Sequence, residues 1–185
     1  MVTVGIDEVG RGCWAGPVVV GAVILSKKID GLKDSKLLRK KQREELAGII
    51  EKDALAIGLG WVEAAEVDRI GLTGAVRLAM QRALERIEIN YDEIIIDGHF
   101  NFLAENPKAR TVVKADSSVP AVSAASIVAK VARDNYMASA AEKYPNYSFE
   151  KHVGYGTALH LERLKLHGIS DLHRRSFKPV AALIQ

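Results

Sequence analysis

Apolar positions along the chain fall into short unbroken runs and longer periodic ones. Val18-Val19-Val20-Gly21-Ala22-Val23-Ile24-Leu25 is an apolar, β-rich run, and Ile94-Ile95-Ile96 lacks polar alternation, the pattern of a central strand covered on both faces. Val4-Gly5-Ile6 and Thr111-Val112-Val113 are shorter runs of the same kind, and Ala54 to Val62 mixes apolar residues with glycine as a further strand. Leu72 to Ile89 instead places Val76, Met80, Ala83, Leu84 and Ile87 on one stripe of a helix. Pro120 to Ala141 is apolar around most of its circumference and reads as the most buried helix. Arg39 to Asp53, with Leu46, Ile49 and Ile50 among charges, predicts a surface helix. A short helix over Glu63 to Arg69 closes at Gly71, Gly98 to Arg110 is a loop, and Ala158 to His167 is the last clear helix.

Between the first two strands lies Gly10-Arg11-Gly12-Cys13-Trp14-Ala15-Gly16-Pro17, whose glycines can take positive φ and whose proline suits the start of a strand. The opening is therefore a hairpin, and alternation of strands and helices follows. This predicts an α/β fold of three layers, a mixed central sheet flanked by helices, in one domain spanning 1–185. The same turn fits the loose dinucleotide-binding pattern, but that fingerprint must open a helix, and here a β-branched run follows Pro17.

Composition is that of an ordinary globular chain, 48% hydrophobic and 26% charged over 185 residues. The single cysteine, Cys13, cannot form an intramolecular disulfide, and with neither a secretory signal nor a membrane-length apolar run, a cytoplasmic setting is expected. Charge is uneven. From about 151 onward a helical, basic part holds six Lys/Arg against Glu162 and Asp171, a local +4 in a chain of net +3. Four of the five histidines are there too. A basic end after an acidic centre suits a nucleic-acid enzyme, which must grip phosphates while keeping acids free for metal; a solvated helix surface has the same composition.

Three strand-like runs end in aspartate: Asp7, followed by Glu8; Asp97; and Asp116. Their convergence on one sheet edge would crowd carboxylates that cannot all stay ionised without a cation, and hard oxygen donors call for Mg²⁺ or Mn²⁺. On the apolar helix, Ser123, Ser126, Lys130, Arg133 and Asp134 form one polar stripe, either a solvent-facing strip or a support beneath the acids. Tyr155, between Gly154 and Gly156, is either an accessible ring or a buried anchor.

Taken together, Gly5-Ile6-Asp7-Glu8-Val9-Gly10-Arg11-Gly12 with Ala15-Gly16-Pro17-Val18, Asp34-Ser35-Lys36, Ile96-Asp97-Gly98, Lys114-Ala115-Asp116, Ser123-Ala124-Ala125-Ser126-Ile127, Ala132-Arg133-Asp134 and Gly154-Tyr155-Gly156-Thr157 resemble ribonuclease HII, the type 2 ribonuclease H, in family order. The resemblance implies a ribonuclease H fold and an endonuclease acting on RNA/DNA hybrids and on single ribonucleotides embedded in duplex DNA. It also implies a two-metal site of Asp7, Glu8, Asp97 and Asp116, with Asp134 the alternative to Asp116 as the fourth ligand. By the same carry-over, Gly10, Arg11 and Gly12 sense the ribose 2′-hydroxyl, Tyr155 packs on the junction sugar, and Lys36 contacts phosphate. Ser123, Ser126 and Asp134 are expected to back the metal ligands. Where the family often has lysine and glycine, this chain has Val153 and Ala115. The short end after Phe177 and Pro179 leads to the expectation of a monomer without a partner-binding tail. A non-catalytic hybrid-binding module of the same fold is the rival reading, and another nuclease of the ribonuclease H superfamily a further one.

Overall fold

The structure, a computed structural model, describes residues 1–32 and 35–184, the side chain of Lys36 excepted. Its elements are β1 (Thr3–Val9), β2 (Val18–Leu25), α1 (Lys40–Asp53), β3 (Ala54–Val62), α2 (Ala64–Leu84), β4 (Glu93–Asp97), β5 (Ala109–Val112), α3 (Ala115–Ser118), α4 (Pro120–Lys143), α5 (Phe149–His152), α6 (Ala158–His167) and α7 (Lys178–Ala181). Five strands form one mixed sheet in the order β3-β2-β1-β4-β5. β1 pairs antiparallel with β2 and parallel with β4, and β4 lies between β1 and β5, so Ile94–Ile96 form an interior strand covered on both faces, as expected.

The faces sort by residue parity. Val4 and Ile6 of β1, Val18, Val20, Ala22 and Ile24 of β2, and Ile94 and Ile96 of β4 share a core with Val76, Ala79, Met80 and Ala83 of α2. The opposite face packs on α4 and α1 through Val23, Ile50, Ala124, Ala125, Ile127 and Val128. Helix 64–84 breaks at Gly71, where φ 73° and ψ 163° are not helical, so two expected helices meet end to end there. The structure corrects one expectation. Asp116 does not end a strand: β5 stops at Val112, Lys114 turns the chain left-handed at φ 57°, and Asp116 sits in the single turn α3. Ala115 lies in that helical turn, outside the left-handed region where its family glycine would matter.

α2 lies so close on β3 that a Cβ on Gly60 would fall 1.8 Å from the carbonyl oxygen of Ala79. Backbone cannot yield as a side-chain tip can, so Gly60→Ala is expected to cost about 2–3 kcal/mol and lower the melting temperature by roughly 5–10 °C in a thermal melt.

Candidate active site

Asp7 and Asp97 follow directly on the Ile6–Ile96 pair of two parallel neighbouring strands, on the face that packs against α4. Glu8 is next in chain, and its amide donates to Asp7 Oδ1 at 2.8 Å. Asp97 Oδ1 accepts from the amide of Ala115 at 2.7 Å, which anchors the turn carrying Asp116 to the end of β4. Asp116 is buried, and Ser117 Oγ donates to its Oδ1 at 3.2 Å.

Electrostatics mark the centre of this group. Burial first, then the charge of Glu8 and that of Asp97, pushes the Asp7 carboxyl up to about 8. Glu8 is also raised, mostly by burial, while Arg11 beside it at 3.5 Å pulls the other way. Among the described residues no three or more His, Cys, Asp or Glu side chains are gathered around one ion position. The donor chemistry nonetheless fits a hard divalent cation: the donors are carboxylate oxygens, and their mutual repulsion at Asp7 is what a cation would offset.

The polar stripe of α4 runs beneath these acids and is not a solvent-facing strip. Ser123 hydrogen-bonds the backbone carbonyl of Asp116. Ser126 hydrogen-bonds Asp7 and lies 2.7 Å from Ser35 Oγ. One turn further on, Lys130 points into the cleft and pairs with Asp134 at 2.8 Å, and Asp134 lies 4.0 Å from Arg43. Asp134 is thus engaged with cations.

A cleft of about 230 Å³ joins two of the acids, Asp7 and Glu8, to Gly10, Arg11, Gly12, Ser126, Lys130 and Tyr155, while Asp97, Asp116, Ser123 and Asp134 do not line it. A larger open groove of about 760 Å³ lies among Met1, Ile24, Leu55, Ile95 and Ala121, away from this chemistry. Tyr155 is 39% exposed, with Lys130 Nζ 5.5 Å from its ring centroid. Burial, then Cys13 next to it, raises its hydroxyl to about 12, so it stays a donor at neutral pH. The phosphate contact expected of Lys36 lies outside the described residues.

Two buried arginines hold the turn. Arg133 donates to the carbonyls of Pro17, Val153 and Ala15 at 2.8–3.0 Å. Arg174 donates twice to Gly16 and once to Arg11. Gly10 at φ 84° leaves the space, since a Cβ there would meet Arg133 Nε at 2.2 Å. Val153 takes φ 44°, a costly conformation for a β-branched residue, and its carbonyl meets Arg133. The basic tail is accordingly less of a phosphate grip than its composition suggests: Arg174, His152, His160 and His173 are buried, leaving Lys151, Lys165, Arg175 and Lys178 exposed. Lys130 carried a sequence signal, a cation on an apolar helix, whereas nothing local distinguished Arg174 from its neighbours.

The family model described as Ribonuclease HII matches residues 4–180. A ribonuclease HII of Azoarcus sp. (strain BH72) is 47% identical over 183 residues, covering 98% of this chain and 89% of the relative. One of Geobacillus sp. (strain WCH70) is 44% identical over 183 residues; the match covers 98% of this chain but 65% of that longer protein. Among solved structures, the ribonuclease H2 from Pyrococcus horikoshii OT3 superposes with TM-score 0.83 at 26% identity, covering 99% of this chain and 97% of that one. No helix among the described residues is long and apolar enough to cross a membrane.

Proposed function

Because the chain belongs to the ribonuclease HII family, we propose that it is an endonuclease that hydrolyses the RNA strand of RNA/DNA hybrids and incises duplex DNA on the 5′ side of a single embedded ribonucleotide, leaving 3′-hydroxyl and 5′-phosphate ends. The observation that carries this reading is the single cleft in which Asp7 and Glu8 meet the Gly10-Arg11-Gly12 turn and Tyr155. Acids that can hold cations thus stand beside groups that can recognise a sugar.

In this reading Asp7, Glu8, Asp97 and Asp116 hold Mg²⁺ or Mn²⁺, as a two-ion site. When bound, such ions supply an activated water and offset charge on the phosphate. The chain's own groups do the rest. Ser126 and the Glu8 amide orient Asp7, and the Ala115 amide orients Asp97. The turn backbone at Gly10–Gly12 meets the ribose 2′-hydroxyl, which both donates and accepts, so RNA is told from DNA without reading bases. Tyr155 packs on the junction sugar and Lys130 stands beside it as a cation for phosphate.

The test is incision of a labelled duplex carrying one ribonucleotide, with and without Mg²⁺ or Mn²⁺, beside an all-DNA control. Metal-dependent cutting 5′ of the ribonucleotide alone is expected, with little dependence on base identity. Binding without cutting would move the reading to a hybrid-binding module, and cutting of long hybrids only would remove the junction role of Tyr155.

A further inference from the structure

Away from the acids, three buried imidazoles, His152, His160 and His173, pack in one cluster that the proposed chemistry does not use. His152 and His160 stack with centroids 4.2 Å apart, walled by Phe149, Tyr147 and Trp14. The hydrogen bonds of His160 and His173 fix their tautomers. His173 Nδ1 accepts from the Ser170 amide at 2.9 Å, so its Nε2 carries the proton. That Nε2 lies 3.0 Å from His160 Nε2, which accepts, so His160 donates through Nδ1 to the carbonyl of Tyr155 at 2.9 Å.

Resting on the reading of Tyr155 given above, we propose that the His173–His160 hydrogen bond is a positioning strut: it fixes the backbone of Tyr155, and so the ring in the cleft, from the C-terminal segment. Two neutral imidazoles in series suit this, since each has one donor and one acceptor in rigid opposition and the order Ser170, His173, His160, Tyr155 transmits one direction. The strut starts from firm ground. His173 bridges Ala15, the Gly16 amide donates to the Leu172 carbonyl, and the Arg174 amide donates to the Trp14 carbonyl, the last two each at 2.8 Å. Arg174 grips Arg11 and Gly16 from the same segment, so one support serves both the turn and the tyrosine. At the other end, Trp14 lies so close that a Cβ on Gly156 would fall 2.1 Å from its ring, leaving the Tyr155 loop packed on one side and steered from the other. Burial and the neighbouring imidazoles lower His160 and His173 to about 4, which keeps both neutral and the donor order intact at neutral pH.

The experiment is a double-mutant cycle on incision of the single-ribonucleotide duplex. His173→Asn keeps an acceptor for the Ser170 amide but loses the donor to His160; His173→Gln restores a donor at that reach. His173→Asn is expected to lower kcat/KM about tenfold, a coupling typical of residues in contact, mostly through KM, with His173→Gln recovering most of it. In a Tyr155→Ala background His173→Asn should change nothing further. Multiplying losses, or wild-type incision by His173→Asn, would overturn the strut. Wild-type incision by Tyr155→Ala itself overturns the strut and the reading of Tyr155 together, so the two failures are told apart. Should His173→Asn melt too low to assay, His160→Asn keeps a donor for the Tyr155 carbonyl but loses the acceptor for His173, and gives the same cycle. A loss that vanishes with Tyr155→Ala then supports the strut, and any other result overturns it.

Discussion

Asp7→Asn is expected to lower turnover by about 10³-fold or more while making the metal-free protein more stable. Both effects come from one carboxylate. Asn keeps the shape and one oxygen, accepting from the Glu8 amide as Asp7 does, but it takes a negative charge from the site proposed to hold cations. The stability effect has a definite sign. Asp7 is raised from 3.8 to about 8, so its contribution to stability is complete below about pH 4 and is lost as pH rises through about 8. At pH 8 in a chelator, wild-type protein carries this burden and Asp7→Asn does not. Each pKa unit is worth about 1.4 kcal/mol, so the variant is expected to melt higher by on the order of 10–20 °C. Added Mg²⁺ or Mn²⁺ should close the gap by stabilising the wild type alone. Melting curves from pH 4 to 8, with and without metal, check this; an active Asp7→Asn enzyme, or one that melts lower at pH 8 without metal, would contradict the assignment.

Arg133→Met is expected to cost the most stability of any single change considered. The side chain is fully buried, and its fork donates to three carbonyls that belong to two different segments: Ala15 and Pro17 of the turn, and Val153 before Tyr155. Met fills a similar volume but leaves these acceptors without that donor. An unsatisfied buried acceptor costs about 1–3 kcal/mol, so a total on the order of 4 kcal/mol follows, near 10 °C in melting temperature. Arg133→Lys should fall between, since an ammonium on a flexible stem cannot match the three-way fork. Among folded molecules, single-ribonucleotide incision should drop further than long-hybrid cleavage, because Arg133 joins the turn to the Tyr155 loop. Melting midpoints with incision assays on both substrates test this, and a variant that keeps wild-type stability would sink the account.

Much of the fold is legible in the sequence. The strand Ala54–Val62 and the helix Ala158–His167 appear with the bounds that their apolar periodicity marks, and the break at Gly71 is where a glycine was needed. Such signals are local: they depend on residues within a few turns of one another, and backbone sterics and burial of one face decide them. Asp97 is legible as an acid closing a strand for the same reason, whereas Asp7 and Glu8 lie inside β1, which stays paired with β2 as far as Val9. Asp116 reads as a strand end because Thr111–Val113 is β-rich, while the left-handed turn at Lys114 that places it in α3 has no strong sequence mark.

The rest was decided by register and packing between distant residues. Asp7 stands beside Asp97 because β1 and β4 are paired parallel at Ile6 and Ile96, a register no local pattern states. Whether the α4 stripe met water or acids depended on which face α4 laid on β1, and Ser126 now contacts Asp7. Charge in the tail is legible as composition but not as exposure, since Arg174, His160 and His173 are drawn inward to carbonyls of segments more than a hundred residues away or to one another. A buried arginine and a solvated one are the same letter in a sequence. Only the tertiary fold, by supplying or withholding carbonyl partners in place of water, decides which it is.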